Sequence, residues 1–150
     1  MVAAPVIWSR QVTKGNQVSA VVLNSGGANA CTGPQGFADT HKTAELIAEK
    51  LSLSAGEVVV CSTGLIGELL PMEKIAKGIS AIELSSDGLE NSAKAIMTTD
   101  SVPKMAVVDA EGAKFAGIAK GAGMLAPAMA TMLSVVMTDA EVDAAEATAA

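Results

Sequence analysis

The chain contains Lys120-Gly-Ala-Gly-Met-Leu-Ala-Pro-Ala-Met-Ala-Thr-Met-Leu133, a glycine- and alanine-rich stretch in which one threonine precedes an apolar run. A threonine within a chain is a weak nucleophile because no nearby base takes its proton. If the Ala130–Thr131 peptide bond were cut, the new α-amine of Thr131, with an ordinary pKa of about 7.7–8.0, would serve as a base for the hydroxyl. Taken alone, however, such a segment more often marks a loop that enters a strand.

Outside this stretch, apolar runs predict strands, and apolar residues spaced three or four apart predict helices. The predicted strands lie at 17–23, 57–62, 104–109, 114–119 and 131–137, with a hairpin turn at Glu111-Gly112. The predicted helices lie at 39–51, 71–82, 87–96 and 140–150, the last with Asp139 as its N-cap. Glycine-containing loops follow the first two strands, at 24–27 and up to Gly67. This order predicts an α/β fold (α+β, with a mixed sheet) in one domain.

Charge and hydropathy argue against two classes of partner. The 150 residues are 50% hydrophobic and carry a net charge of −6, so they can build a core but lack the basic patches that neutralise phosphates. The N-terminus has no signal-peptide pattern. Residues 121–138 carry no charge, but Gly123 and Pro127 interrupt them, which favours a buried loop entering a core strand over a spanning helix. We therefore expect neither a nucleic-acid nor a membrane partner.

Several polar residues predict no site of their own. Cys31 and Cys61 lack metal-ligand spacing, and a reduced, cytosolic pair is favoured over a disulfide. His41, the single histidine, falls on a predicted helix and is interpreted as a solvated residue rather than a general base. The 24–29 loop lacks the glycine spacing and the lysine of a P-loop. No metal or nucleotide site is predicted.

Four further positions have an ordinary interpretation, and for three of them the residues also allow a functional one. Thr63 and Gly64 follow a predicted strand end, where a simple turn is the commoner meaning, although N–H groups and a hydroxyl there can stabilise an oxyanion. Lys120 is ordinarily a solvated loop lysine, but its ammonium could also hold a substrate carboxylate. Thr98 by itself is interpreted as a helix C-terminal or a turn residue. From the residues alone, these alternatives stay open.

Four segments in sequence order carry a family resemblance: Leu23-Asn-Ser-Gly-Gly-Ala-Asn-Ala-Cys-Thr-Gly33, Cys61-Ser-Thr-Gly-Leu-Ile-Gly67, Met97-Thr-Thr-Asp100 and Lys120 to Leu133. Together they resemble the bifunctional ornithine acetyltransferases (glutamate N-acetyltransferases) of arginine biosynthesis. That family has a self-processing, N-terminal-nucleophile-like fold, the ornithine acetyltransferase/aminopeptidase fold. The resemblance covers nearly the whole chain, but the family's proteins are more than twice as long. It therefore implies a single truncated domain over 1–150, an incomplete fold and a self-cleavage junction at Ala130–Thr131.

The resemblance also implies which residues act and on what. Thr131 matches the nucleophile, and Thr63 and Gly64 match the pair that stabilises the oxyanion. Thr98, Lys120 and Thr131 match positions that bind the substrate. The implied reaction moves an acetyl group from N-acetylornithine to glutamate through an acyl-threonine, in the cytoplasm and without a cofactor.

The resemblance leaves other points open. Acetyl-CoA is a possible further donor. The β-chain of the same precursor is the implied partner, in a heterotetramer of two α and two β chains. An inactive fragment and an aminopeptidase-like hydrolase of the same fold are the alternatives.

Overall fold

Helices and strands alternate over the first half of the chain and lead into an antiparallel sheet in the second half. The computed structural model describes residues 2–122 and 132–149. Its helices are α1 (Ala4–Val12), α2 (Gly33–Leu51), α3 (Met72–Ala81), α4 (Leu89–Ala95) and α5 (Ala144–Ala149). Its strands are β1 (Ala20–Gly27), β2 (Val58–Leu65), β3 (Lys104–Ala110), β4 (Ala113–Lys120) and β5 (Leu133–Thr138). Short 3₁₀ turns lie at Thr13–Gly15 and Ala55–Glu57.

The first two strands form a parallel pair with α2 as the connecting helix. The register runs from Ala20 opposite Val58 to Gly27 opposite Leu65. A parallel pair needs a crossover of this kind because the chain must return to the same end of the sheet. The β2 side chains Val58 and Val60 pack into the main core with apolar residues of α2 and α3, namely Ala44, Ile47, Ala48 and Ile79.

Helix α1 covers the edge of β2 that faces away from β1. The indole Nε1 of Trp8 donates to the Val58 carbonyl at 2.9 Å. The Ser9 hydroxyl donates to the Val60 carbonyl at 2.9 Å and accepts from the Val60 N–H at 3.2 Å. Side chains thus satisfy backbone groups that would otherwise form an open strand edge. This helix was not predicted from the sequence pattern.

The last three strands form an antiparallel sheet in the order β3-β4-β5. Glu111 and Gly112, both with positive φ, join β3 to β4 as a two-residue turn. The predicted hairpin is therefore confirmed. Two-residue turns of this kind are favoured because they match the twist of the strands they connect. Helix α4 packs on the sheet through Ala93 and Ile96 against Ile118.

Several predicted boundaries are wrong. Residues 24–27 and 63–65, which were predicted as loop, are strand, because parallel pairing between the ends of β1 and β2 outweighs the weak strand preference of glycine. Helix α2 begins at Gly33 rather than at residue 39, with a proline in its first turn. The last helix begins at Ala144 rather than at residue 140.

Side-chain hydrogen bonds explain why the last helix begins later than predicted. The Asp143 carboxylate accepts the N–H groups of Ala145 and Glu146, both at 2.8 Å, so it occupies the capping position. Asp139, the predicted N-cap, instead accepts the Lys114 N–H at 2.6 Å. Across residues 2–122 and 132–149, no helix is long and apolar enough to cross a membrane.

Candidate active site

Thr63 and Gly64 lie near the end of strand β2, not in a loop after it. Thr63 is fully buried and stands opposite Ser25 of β1, while Gly64 stands opposite Gly26. Gly64 has φ +130°, and a Cβ at this position would lie 2.3 Å from the Gly26 carbonyl carbon. Only glycine fits such a backbone conformation and so close an approach of two strands. The pairing of β1 and β2 therefore constrains the backbone of the two residues that are predicted to stabilise an oxyanion.

Side-chain hydrogen bonds fix the same end of the strand pair. The Ser62 hydroxyl donates to Asn24 Oδ1 at 2.5 Å, and Asn24 Nδ2 donates to the Gly27 carbonyl at 3.1 Å. The Ser25 hydroxyl donates to the Ala95 carbonyl at 2.6 Å and so ties this strand end to α4. The glycine-rich segment is therefore cross-linked by polar side chains on both strands.

A cavity of about 260 Å³ lies beside this strand end and reaches the start of β5. Cys61 and Ser62, which precede Thr63, line it together with Met132 and Leu133, which follow Thr131. Ala130 and Thr131, the predicted cleavage pair and nucleophile, lie outside the described residues.

Cys61 is the thiol that lines this cavity. Burial raises the pKa of the Cys61 thiol, which keeps the thiol protonated at neutral pH. Because the thiolate is the nucleophilic form of cysteine, this disfavours Cys61 as the reacting group. Within the described residues, Cys31 and Cys61 are not joined in a disulfide.

Lys120 lies near the buried carboxylate of Asp100, and Thr98 lies two residues before Asp100 in the chain. Thr98 is exposed in the turn after α4 and has φ +49°, a rare conformation for a β-branched residue. Lys120, the last residue of β4, is only 5% exposed, so its interpretation as a solvated loop lysine is wrong. Asp100 accepts hydrogen bonds from Lys104 Nζ and, at 3.1 Å, from the Gly121 N–H.

The electrostatics of this cluster are set by its cations. The hydrogen bond from Lys104 and then that from the Gly121 N–H lower the pKa of Asp100, and the charges of Lys104 and Lys120 act in the same direction. Sequence reasoning did not single out Asp100, although it lies in the Met97-Thr-Thr-Asp100 motif. Its burial depends on a strand that lies beyond the turn, which local sequence does not reveal.

The remaining polar candidates lie apart from this region. His41 is exposed on α2, where its ring contacts Trp8 at 4.9 Å between centroids and its Nε2 lies 3.9 Å from Glu45. No cluster of three or more His, Cys, Asp or Glu side chains suited to a metal ion occurs within the described ranges.

The fold and the glycine-constrained strand end define an α/β protein with a candidate acyl-transfer site. A profile of the ArgJ family matches residues 1–150, and the chain belongs to that family. This confirms the resemblance inferred from the four segments.

Curated relatives and solved structures agree with this assignment. The chain is 63% identical over 143 residues to the arginine biosynthesis bifunctional protein ArgJ of Streptomyces avermitilis and 56% identical over 149 residues to that of Thermobifida fusca. These matches cover 94% and 98% of this chain but only 37% and 39% of the relatives, so the chain spans well under half their length.

Two crystal structures share the fold. One is the arginine biosynthesis bifunctional protein of Bacillus halodurans, with a TM-score of 0.76 and 34% identity over 87% of this chain and 71% of that one. The other is the ornithine acetyltransferase of Mycobacterium tuberculosis complexed with ornithine, with a TM-score of 0.69 and 44% identity over 87% and 72%. They confirm the predicted α/β fold of the ornithine acetyltransferase type.

Proposed function

We propose that this chain supplies the nucleophile, the oxyanion-stabilising pair and part of the substrate site of a glutamate N-acetyltransferase of arginine biosynthesis. The observation that carries the proposal is the shared cavity: residues next to Thr63 and residues next to Thr131 line the same space. Membership of the ArgJ family, whose curated relatives are named for arginine biosynthesis, supports substrates from that pathway.

The first step is self-cleavage. The Thr131 hydroxyl attacks the carbonyl carbon of Ala130, the C–N bond breaks, and the acyl group is held as an ester on Thr131. Water hydrolyses the ester, which leaves a carboxylate on Ala130 and a free α-amine on Thr131. That amine is then the base for the adjacent hydroxyl.

The second step is acetyl transfer. The Thr131 hydroxyl attacks the acetyl carbonyl of N-acetylornithine, its proton passes to the α-amine, and ornithine leaves as an amine that takes a proton. Glutamate then attacks the acetyl-threonine ester through its own amine and leaves as N-acetylglutamate, which restores the hydroxyl. Thr63 and Gly64 donate to the oxyanion in both halves of this cycle.

Lys120 and Thr98 are assigned to the amino-acid substrate. A buried ammonium such as that of Lys120 attracts a substrate carboxylate strongly because the surroundings have a low dielectric constant. The cycle requires no cofactor. Acetyl-CoA is proposed as an additional donor, which agrees with the word bifunctional in the relatives' names.

The rest of the same precursor is the proposed partner. After cleavage it would form a β-chain, and two α and two β chains would assemble into a heterotetramer. We expect the enzyme to work in the cytoplasm, where this biosynthetic reaction belongs.

The test is substitution of Thr131 in the complete gene product. Thr131→Ala should abolish both self-cleavage and acetyl transfer, because one hydroxyl performs both attacks. Thr131→Ser, which keeps a hydroxyl, should retain part of each. Comparable formation of N-acetylglutamate by Thr131→Ala would refute the covalent mechanism, and release of acetate in place of N-acetylglutamate would indicate a hydrolase.

A further inference from the structure

The Asp100 carboxylate is buried, and it has interactions in addition to its ion pair with Lys104. Its side chain is 1% exposed, whereas that of its partner Lys104 is 44% exposed. An ion pair with Lys104 alone would form equally well with the carboxylate in water, where such pairs contribute little. Burial of a carboxylate is costly unless hydrogen bonds and charges compensate it. The buried position is therefore explained by the contacts that Asp100 makes on its inner side.

Those inner contacts are with the end of β4. The Gly121 N–H donates to Asp100 Oδ2 at 3.1 Å, and the Lys120 ammonium interacts electrostatically with the same carboxylate. A buried ammonium needs a nearby negative charge, because it has lost most of its hydration. The Asp100 carboxylate supplies a negative charge near this ammonium.

The backbone of Asp100 fixes the other predicted substrate residue. Its N–H donates to the Met97 carbonyl at 2.9 Å, which closes the turn that carries Thr98. That turn holds Thr98 at φ +49°, a conformation that persists only when its surroundings impose it. One residue therefore connects Thr98, through the main chain, with Lys120, through the side chain.

The second carboxylate oxygen of Asp100, Oδ1, differs from Oδ2 in its hydrogen bonding. Among residues 2–122 and 132–149, no donor bonds to its Oδ1, although this atom is buried. An unsatisfied buried oxygen costs free energy, so a further donor group at Oδ1 would be stabilising.

We propose that Asp100 is a positioning residue that holds Thr98 and Lys120 together in one binding site for an amino-acid substrate. The inference rests on the proposed function for the role of that site, but the placement of Lys120 by Asp100 can be measured without any turnover.

The first measurement is the rate at which Lys120 reacts with a lysine-specific succinimidyl ester, read by peptide mass spectrometry on the complete gene product. Asp100→Asn keeps the size of the side chain and removes its charge. Lys104→Met is the matched control, because it removes the exposed partner and leaves the Gly121 and Lys120 contacts in place. We expect Lys120 to react about fivefold faster in Asp100→Asn and at the wild-type rate in Lys104→Met, because exposure follows the local opening free energy.

The second measurement is the split between KM and kcat for the amino-acid substrates. We expect Asp100→Asn to raise KM about tenfold and to change kcat much less, as loss of uniform binding does. Absence of acetyl transfer in the wild type would contradict the proposed function, while the reactivity of Lys120 would still decide the role of Asp100.

An equal rise in Lys120 reactivity in both variants would overturn the inference, since the ion pair with Lys104 would then suffice to explain it. Wild-type reactivity in Asp100→Asn would overturn it as well. If Asp100→Asn does not fold, Asp100→Glu keeps the charge and moves the oxygens by one methylene. A reactivity of Lys120 above wild type in that variant supports the inference, and an unchanged reactivity contradicts it.

Discussion

The two sheets of this chain differ in how far their strands are covered. In the parallel pair, Val58 and Val60 of β2 are buried and side chains of α1 satisfy the outer edge of the strand. In the antiparallel sheet, Val107 and Val108 of β3 are 57% and 54% exposed, and Val136 of β5 is 72% exposed. Because consecutive strand residues point to opposite faces, both faces of β3 lack cover within the described residues.

The residues of the candidate site are distributed over both the covered and the exposed sheet. Thr63 and Gly64 belong to the sheet that builds its own core, whereas Lys120 ends a strand of the exposed sheet and Met132 precedes another. Exposed apolar strands of this kind mark a surface that another chain segment covers or that associates. We therefore expect the 150-residue chain by itself to associate and to keep the Ala130–Thr131 bond intact.

The largest expected effect comes from Gly64→Ala in the covered sheet. The new Cβ would lie 2.3 Å from Gly26 backbone, at a φ that L-residues avoid. We expect a loss of about 3 kcal/mol or more in the free energy of unfolding. Thermal or denaturant unfolding of the complete gene product measures this loss.

Gly78→Ala is the matched control for that substitution. Gly78 lies within α3, and among the described residues no atom beyond its chain neighbours and the local helix backbone lies within 4 Å of the position that an alanine Cβ would occupy. Alanine should therefore stabilise the helix by roughly 0.5–1 kcal/mol. Equal stability of the two variants would show that the close approach of β1 and β2 does not constrain residue 64.

The second effect is catalytic. Thr63→Val removes a buried hydroxyl but keeps the side-chain volume, and we expect kcat to fall about 10²–10³-fold, the usual cost of one oxyanion donor. Thr43→Val is the control, because Thr43 is an equally buried threonine whose hydroxyl donates within α2, to the Asp39 carbonyl. A rise in KM with unchanged kcat would assign Thr63 to substrate binding instead.

Local sequence predicted the parts of the fold that local chemistry determines. The Glu111-Gly112 hairpin follows from two residues that adopt positive φ, and the core face of β2 follows from its apolar run. The continuation of strand through Gly26 and Gly64 was missed, because it depends on parallel pairing between distant segments. The edge contacts of Trp8 and Ser9 are nonlocal for the same reason.

The candidate site was predicted through motifs rather than through geometry. The four family segments named Thr63, Gly64, Thr98 and Lys120. In the structure Lys120 lies near the Asp100 carboxylate, and Thr98 lies in the turn that the Asp100 N–H closes. No periodicity or spacing in the sequence predicted that Lys120 is buried or that Asp100 lies near it. Both depend on tertiary packing, such as that of α4 against β4.

The third prediction compares one valine in each sheet directly. Val60→Ala should reduce the free energy of unfolding by about 2 kcal/mol, from two lost methyl groups and the cavity that they leave. Val136→Ala should change it by less than about 0.5 kcal/mol, because that side chain is already in water. Similar losses in both variants would contradict the contrast between the sheets.

The smallest expected effect is the pH dependence contributed by Asp100. Its pKa in the folded protein lies below the ordinary value of 3.8, so its stabilising contribution is present above pH 3.8 and is lost as the pH falls through the folded-state pKa. The melting temperature of the wild type should therefore fall more steeply below pH 3.8 than that of Asp100→Asn. Parallel pH profiles for the two proteins would show that the carboxylate is not stabilised by Lys104 and Gly121.

The most direct test of the covalent mechanism is to locate the acetyl group during turnover. The complete gene product is incubated with N-acetylornithine without glutamate, quenched in acid and analysed by intact and peptide mass spectrometry. We predict two chains, the second beginning at Thr131 and carrying one acetyl group on that residue, which glutamate then removes. An uncut chain that still transfers acetyl, or an acetyl group on Cys61 in place of Thr131, would contradict the mechanism.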